Sequence, residues 1–178
     1  MDLITKEDIK GVVHNRTTWS DGIDKLEPEL LQKFDMVIIS IHQLLKMDEE
    51  KATKRIIKAI ESPYTTILGH MTCRQLLIRP GYTVTFKKVI DACSANNVVF
   101  EINANPYRLD MDWSHIPYAL KKGVMISVNP DAHSINEIDN IRWGIEAARK
   151  GGLTKEMTWN AMPIKKIESW LKKRKSKI

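Results

Sequence analysis

Asp35-Met36-Val37-Ile38-Ile39-Ser40-Ile41-His42 is the stretch on which the fold turns. Its apolar residues run on without leaving a face for water. That is the pattern of a strand buried on both sides within a parallel sheet. The run then ends on an imidazole. The same grammar recurs on either side of it. Thr65-Thr66-Ile67-Leu68-Gly69 is followed by His70, Val98-Val99-Phe100-Glu101-Ile102-Asn103 ends on Asn103, and Val124-Met125-Ile126-Ser127-Val128 leads into Asn129-Pro130-Asp131-Ala132-His133. Asp8 to Val13 reads as a further strand, with His14 directly after it.

Helical patterns separate these runs. Asp48 is a candidate N-cap for a helix over Glu49 to Ile60, which places Ile56, Ile57 and Ile60 on one face. Further helices are predicted over Thr83 to Ala95, Ser114 to Lys122, Glu137 to Lys150, Thr154 to Asn160 and Pro163 to Lys173. Gly123 and Gly151-Gly152 supply C-terminal stops. Strands alternating with helices predict an α/β fold with a parallel sheet and crossover helices. A full eight-fold barrel usually takes about 250 residues. Five strands in 178 residues predict an open sheet or an incomplete barrel, and no internal domain boundary is visible.

Composition narrows the setting. Hydrophobic residues make up 43% and charged residues 28%, ordinary for a water-soluble fold, and no run has the length of a membrane span. The mixed, acidic start Met1 to Asp8 is not a signal peptide. Cys73 and Cys93 are too far apart in sequence to form a metal-type pair, so a reducing, cytoplasmic location is expected. The net charge is +6, and the tail over residues 172–178 carries five positive side chains, so the body is close to neutral. Such a tail can hold a polyanion, DNA among them, although a solvated helix end is the simpler reading.

The chemistry follows from position. His14, His42, His70 and the Asp131/His133 pair all follow predicted strands, and His115 alone among the five histidines falls in a helix. The carboxyl ends of parallel strands converge on one face, where α/β folds build their sites. Imidazoles with carboxylates are the usual ligands of Zn, Mn or Fe. Such ions polarise phosphoryl or carbonyl oxygens and activate water. The chain has no G-x-x-x-x-G-K-[ST], G-x-S-x-G or G-x-G-x-x-G motif, which argues against nucleotide-driven work, serine hydrolysis and dinucleotide chemistry.

Asp8 to Gly22, Phe34 to His42, Ile67 to His70, Glu101 to Leu109 and Asn129 to Ser134 together resemble the polymerase-and-histidinol-phosphatase (PHP) domain, as it occurs at the C-terminus of bacterial family X DNA polymerases. The resemblance implies a distorted, TIM-like parallel (β/α) barrel, a multinuclear metal site, and hydrolysis of phosphomonoesters or of DNA 3′ ends, with roles in DNA repair. His14, Asp21, His42, His70, Asp131 and His133 fall on family ligand positions, while Glu101 and Asn103 match a supporting E-I-N motif. A metal-bound water would be the nucleophile, with Arg16 or Arg108 as a phosphate clamp.

The departures are specific. Arg16 stands where the family has the second histidine of H-x-H, and Gly22 runs almost directly into Ile23 to Leu31, a stretch resembling a later family segment. About two strands, with an Asp-His motif and a bridging glutamate, are missing from between them. Val12, Met71 and Cys73 replace the family's Asp, Pro and Gly. Fewer than three divalent ions are therefore expected. The lost block is expected to leave strand edges that favour a homo-oligomer. DNA synthesis is not expected, because the polymerase part does not precede the domain. The leading reading is a PHP-type, metal-dependent phosphoesterase acting on a phosphate ester. The alternatives are a degenerate, non-catalytic PHP domain that contacts nucleic acid, and a metal-dependent amide or lactone hydrolase.

Overall fold

The computed structural model describes residues 2–14, 31–43 and 45–176. Strands β1 (Ile38–Ile39), β2 (Ile67–Leu68), β3 (Val99–Asn103) and β4 (Ile126–Asn129) lie side by side in chain order, all parallel. Helix α1 (Glu49–Ile60) joins β1 to β2, α2 (Phe86–Asn96) joins β2 to β3, and α3 (Ile116–Lys121) joins β3 to β4. Two more helices, α4 (Ile141–Lys150) and α5 (Ile164–Lys175), close the chain. The α/β class and the parallel sheet are those expected from sequence. Among the described residues the sheet is a run of strands with β1 at one end and β4 at the other. No described helix is long and apolar enough to cross a membrane.

Local chemistry sets the element ends. Asp48 caps α1 by accepting a hydrogen bond from the Lys51 amide at 2.8 Å. Asn97 ends α2 in the left-handed conformation that Asn tolerates. Pro117 lacks a donor, so α3 proper starts beside it, and the predicted Ser114 start is instead a 3₁₀ turn over Trp113–His115. The helix predicted from Glu137 likewise opens as a 3₁₀ segment, Ile135–Asn140. Thr154 to Asn160 is not one helix but lies across two short 3₁₀ turns, Lys155–Met157 and Trp159–Ala161. The break falls at Thr158, which is extended and bridges to Ile126 in parallel fashion.

The two faces of the sheet differ. Phe100 and Ile102 of β3, with Ile126 and Val128 of β4, join a core that includes Ile56 and Ile60 of α1, Val89 and Ile90 of α2 and Ile145 of α4. Gly144 lets α4 approach closely, since a Cβ there would come within 2.5 Å of the Ala104 Cβ and 2.7 Å of Val128 Cγ1. The alternate residues face the other way. That face starts apolar, with Ile67, Val99 and Trp159 packed against Ile167, Trp170 and Leu171 of α5, and ends polar with Glu101, Asn103, Ser127 and Asn129. The polar half is the carboxyl end.

The predicted first strand is not one. Residues 6–8 form a 3₁₀ turn, closed by Asp8 accepting hydrogen bonds from the Thr5 amide and hydroxyl at 3.1 and 2.9 Å. The chain then runs beside β4 at one remove. The Asn160 side chain stands between them. Its Nδ2 donates to Gly11 O (2.9 Å) and Val128 O (2.8 Å), and its Oδ1 accepts from the Val128 amide (3.1 Å). An amide side chain thus replaces the ladder that a strand would have supplied. The basic tail also differs from a frayed end. It is helical through Lys175, and the largely buried Arg174 donates to the carbonyls of Asn96, Asn97 and Thr65. Among the tryptophans, Trp159 is buried, whereas Trp113 and Trp143 stand partly in water under Lys150 and Arg142.

Asp110 holds the turn after His70 from the far side, accepting from the Thr72 amide at 2.9 and 3.2 Å. Burial raises its pKa to about 6, against the opposing hydrogen bonds from Thr72.

Two outcomes are expected. Asn160→Ala removes the hydrogen bonds to the buried amide and carbonyl of Val128 and to the Gly11 carbonyl, and should lower the free energy of unfolding by about 2 kcal/mol in urea; a change under about 0.5 kcal/mol would show that the side chain does not link segment 9–11 to β4. Because Asp110 has a higher pKa folded than unfolded, the folded state binds its proton more tightly, so the contribution of Asp110 to stability is full below about pH 4 and is lost as the pH rises to about 6. Urea titrations between pH 4 and 7 should show the wild type losing stability relative to Asp110→Asn as the pH rises. Parallel profiles would remove Asp110 as its source.

Candidate metal centre

Glu101, in the middle of β3 and without solvent exposure, organises the polar end of the sheet. Its Oε2 accepts the His70 amide at 2.8 Å. Its Oε1 meets His14 Nδ1 at 2.6 Å and Asn129 Nδ2 at 2.9 Å. Gly69 permits the first contact, for a Cβ there would lie 3.2 Å from Glu101 Oε2 and 2.7 Å from Ser40 Oγ. Asn129 Oδ1 accepts from Ser127 Oγ at 3.1 Å and from the Val13 amide at 3.4 Å, which docks the segment carrying His14 onto β4.

A carboxylate can only accept, so the short Glu101 contact fixes the proton of His14 on Nδ1. The lone pair on Nε2 then faces Asp131 Oδ1 at 3.4 Å. Two acceptors at that separation repel unless a cation lies between them, either a proton on Nε2, which makes the contact an ion pair, or a metal ion. Asp131 is fully buried, and its Oδ1 has no hydrogen bond. Its Oδ2 takes Asn103 Nδ2 at 3.0 Å and Arg108 Nε at 3.2 Å. The backbone of Asp131 is left-handed (φ 52°), which turns its side chain inward at the end of β4.

His70 completes the group. It has no solvent exposure, and both ring nitrogens lack hydrogen-bond partners among the described residues. Burial, and after it the neighbouring His14, Arg108 and His42, push its pKa well below the ordinary histidine value. The ring is therefore neutral and offers a lone pair. Ligand atoms of His14, His70 and Asp131 lie within 4.8 Å of one another. Two neutral imidazoles and a carboxylate, with unpartnered buried atoms among them, fit a divalent cation in donor type, spacing and charge.

The predicted residues divide as follows. His14, His70 and Asp131 come together. His42 packs edge-on against His70, ring centroids 4.9 Å apart, and the His14 ring stacks on His70 at 5.4 Å. His133 is not brought into the cluster. Its exposed ring lies 2.8 Å from the Asp131 carbonyl oxygen and its amide donates to Glu137 Oε2 at 2.7 Å, because the left-handed turn at Asp131 sends the following residues outward. Asp21 and Arg16 lie outside the described residues. Asn103 and Glu101 do more than flank the site, since Asn103 orients Asp131 and Glu101 orients both histidines. Arg108, expected as a phosphate clamp, is already paired with Asp131. His115 stacks on Phe86 at 3.6 Å, in the helical layer. Sequence reading missed Asn129, whose only signal was its place one residue beyond a predicted strand.

No family model matches the chain. Over 153 residues it is 34% identical to the DNA polymerase/3'-5' exonuclease PolX of Bacillus subtilis (strain 168), a match covering 86% of this chain and 27% of that protein. Over 181 residues it is 30% identical to a probable phosphatase of Thermoanaerobacter sp. (strain X514), covering 97% of this chain and 71% of the relative. A probable phosphatase of Caldanaerobacter subterraneus matches at 26% identity, covering 97% of this chain and 68% of that protein. On the similarity to relatives of both kinds, the chain belongs to the PHP family and is related to the family X DNA polymerases.

Proposed function

We propose that the chain hydrolyses phosphate esters with a divalent ion bound at a reduced PHP site of His14, His70 and Asp131. The observation that carries this reading is the buried trio itself, with two unpartnered nitrogens on His70 and an unbonded oxygen on Asp131. Relatives named as a 3'-5' exonuclease and as probable phosphatases support the reaction class. The substrate is then a phosphomonoester or the 3′ end of a DNA strand. Three protein ligands leave coordination positions open, as catalytic rather than structural sites do.

When bound, Mn, Zn or Fe supplies Lewis acidity toward a phosphoryl oxygen and toward water. The chain's own residues prepare for it. Glu101 holds the His14 proton on Nδ1 and so aims the Nε2 lone pair inward. Burial keeps His70 neutral, and a neutral ring needs no deprotonation before it ligates. Asn103 and Arg108 fix Asp131 through Oδ2 and present Oδ1. The Arg108 Nη2 makes no hydrogen bond among the described residues and can meet a phosphate oxygen.

One observation favours a second reading. The permanent charge of Arg108 sits on the carboxylate that a metal would use, which suits a non-catalytic PHP domain that needs no ion.

Protein supplied with Mn²⁺ should bind it and release phosphate from p-nitrophenyl phosphate. His70→Ala and Asp131→Ala should lower that activity at least ~10²-fold, with His115→Ala unchanged. Equal rates in all three variants, or a wild type without metal and turnover, would leave the second reading.

A further inference from the structure

Asp131 is shared between two kinds of cation. Its Oδ1 points at the His14 and His70 side, whereas its Oδ2 is 3.2 Å from Arg108 Nε. The same guanidinium reaches Cys73 Sγ with Nη1 at 3.8 Å, and the Arg108 side chain is 11% exposed. Among the described residues it is thus held by one ion pair and one weak sulfur contact. Other arginines nearby are committed differently. Arg74 spends its fork on the Arg108 and Leu109 carbonyls and on Asp112. Arg79 is turned to Cys73.

We propose that Arg108 couples the two halves of the substrate complex, the divalent ion and the phosphate group, by moving between Asp131 and the phosphate. The inference rests on the phosphoesterase reading and adds regulation of the same site. Without phosphate, the guanidinium neutralises Asp131 and repels an incoming divalent ion a few ångströms away, so the ion binds weakly. A phosphate offers the fork two oxygens, against the single bond Arg108 makes to Asp131. Drawn to it, Arg108 returns the full carboxylate charge to the ion. Each ligand therefore tightens the other by the same factor. No bond is made or broken in this step. Its consequence is a site that loads its metal chiefly together with phosphate.

The test is Mn²⁺ affinity, read by electron paramagnetic resonance of the free ion, with and without inorganic phosphate and corrected for Mn–phosphate association in solution. In the wild-type chain, phosphate should tighten Mn²⁺ binding ~10-fold or more. In Arg108→Gln, Mn²⁺ alone should bind at least ~10-fold tighter than in wild type, and phosphate should no longer change it. Arg108→Lys keeps the charge without the planar fork, so Mn²⁺ alone should bind as in wild type and the phosphate effect should shrink below ~2-fold. This variant carries the test if Arg108→Gln does not fold. Mn²⁺ binding that is unchanged or weaker in Arg108→Gln, or a phosphate effect kept in full by Arg108→Lys, overturns the coupling while leaving the phosphoesterase reading intact. No Mn²⁺ binding by wild type or either variant overturns both.

Discussion

At the centre of β3 a fully buried carboxylate, Glu101, is held by three donors from three different parts of the chain. Burying an ion costs several kcal/mol unless hydrogen bonds replace its water, and here they come from the His70 amide, His14 Nδ1 and Asn129 Nδ2. The constraint runs outward from that one group. The amide contact fixes the turn after β2. The imidazole contact fixes a proton on His14 Nδ1 and turns Nε2 toward Asp131. The Asn129 contact ties β4 and, through Val13, the N-terminal segment to the same point. A site assembled from distant loops acquires rigidity from one buried charge.

Around this anchor the sheet is graded. Its inner face is apolar where α5 packs and polar at the carboxyl ends, so a shift of one residue in β3 or β4 would exchange Glu101 and Asn103 for Phe100 and Ile102. The parallel register Glu101–Ser127 and Asn103–Asn129 places the polar side chains in layers. Helix α4 can sit close behind them because Gly144 has no side chain. Packing on one face thus sets the geometry of polar groups on the other.

Charge balance distinguishes this site from a pocket that merely collects histidines. Glu101 is neutralised by hydrogen bonds, whereas Asp131 is split between an internal guanidinium and an open oxygen. His70 is buried, neutral and without partners for either nitrogen, a state that costs free energy in a dry interior and is relieved by a ligated cation. The PHP family gives this arrangement a chemical context.

The sequence alone determined the α/β class, the parallel sheet and the alignment of His70 and Asp131 at the carboxyl side, because each of these follows an apolar run and parallel strands all point one way; it named His14 by the same pattern, although the segment before His14 is not a strand. It also placed Glu101 and Asn103 in a supporting motif. It could not determine that Asp8 to Val13 would lie beside the sheet at the distance of an Asn160 side chain, since that linkage joins residues almost 150 positions apart. Nor could it separate His133 from Asp131. Two residues of spacing look like a shared site, and only the left-handed backbone at Asp131 sends one side chain inward and the other to solvent. The pairing of Arg108 with Asp131, and the docking of Arg174 within a tail that reads as a solvated charge run, were likewise decided by tertiary structure. Charge in a sequence gives the sign of an interaction, while the partner depends on which groups the folded chain brings within a few ångströms.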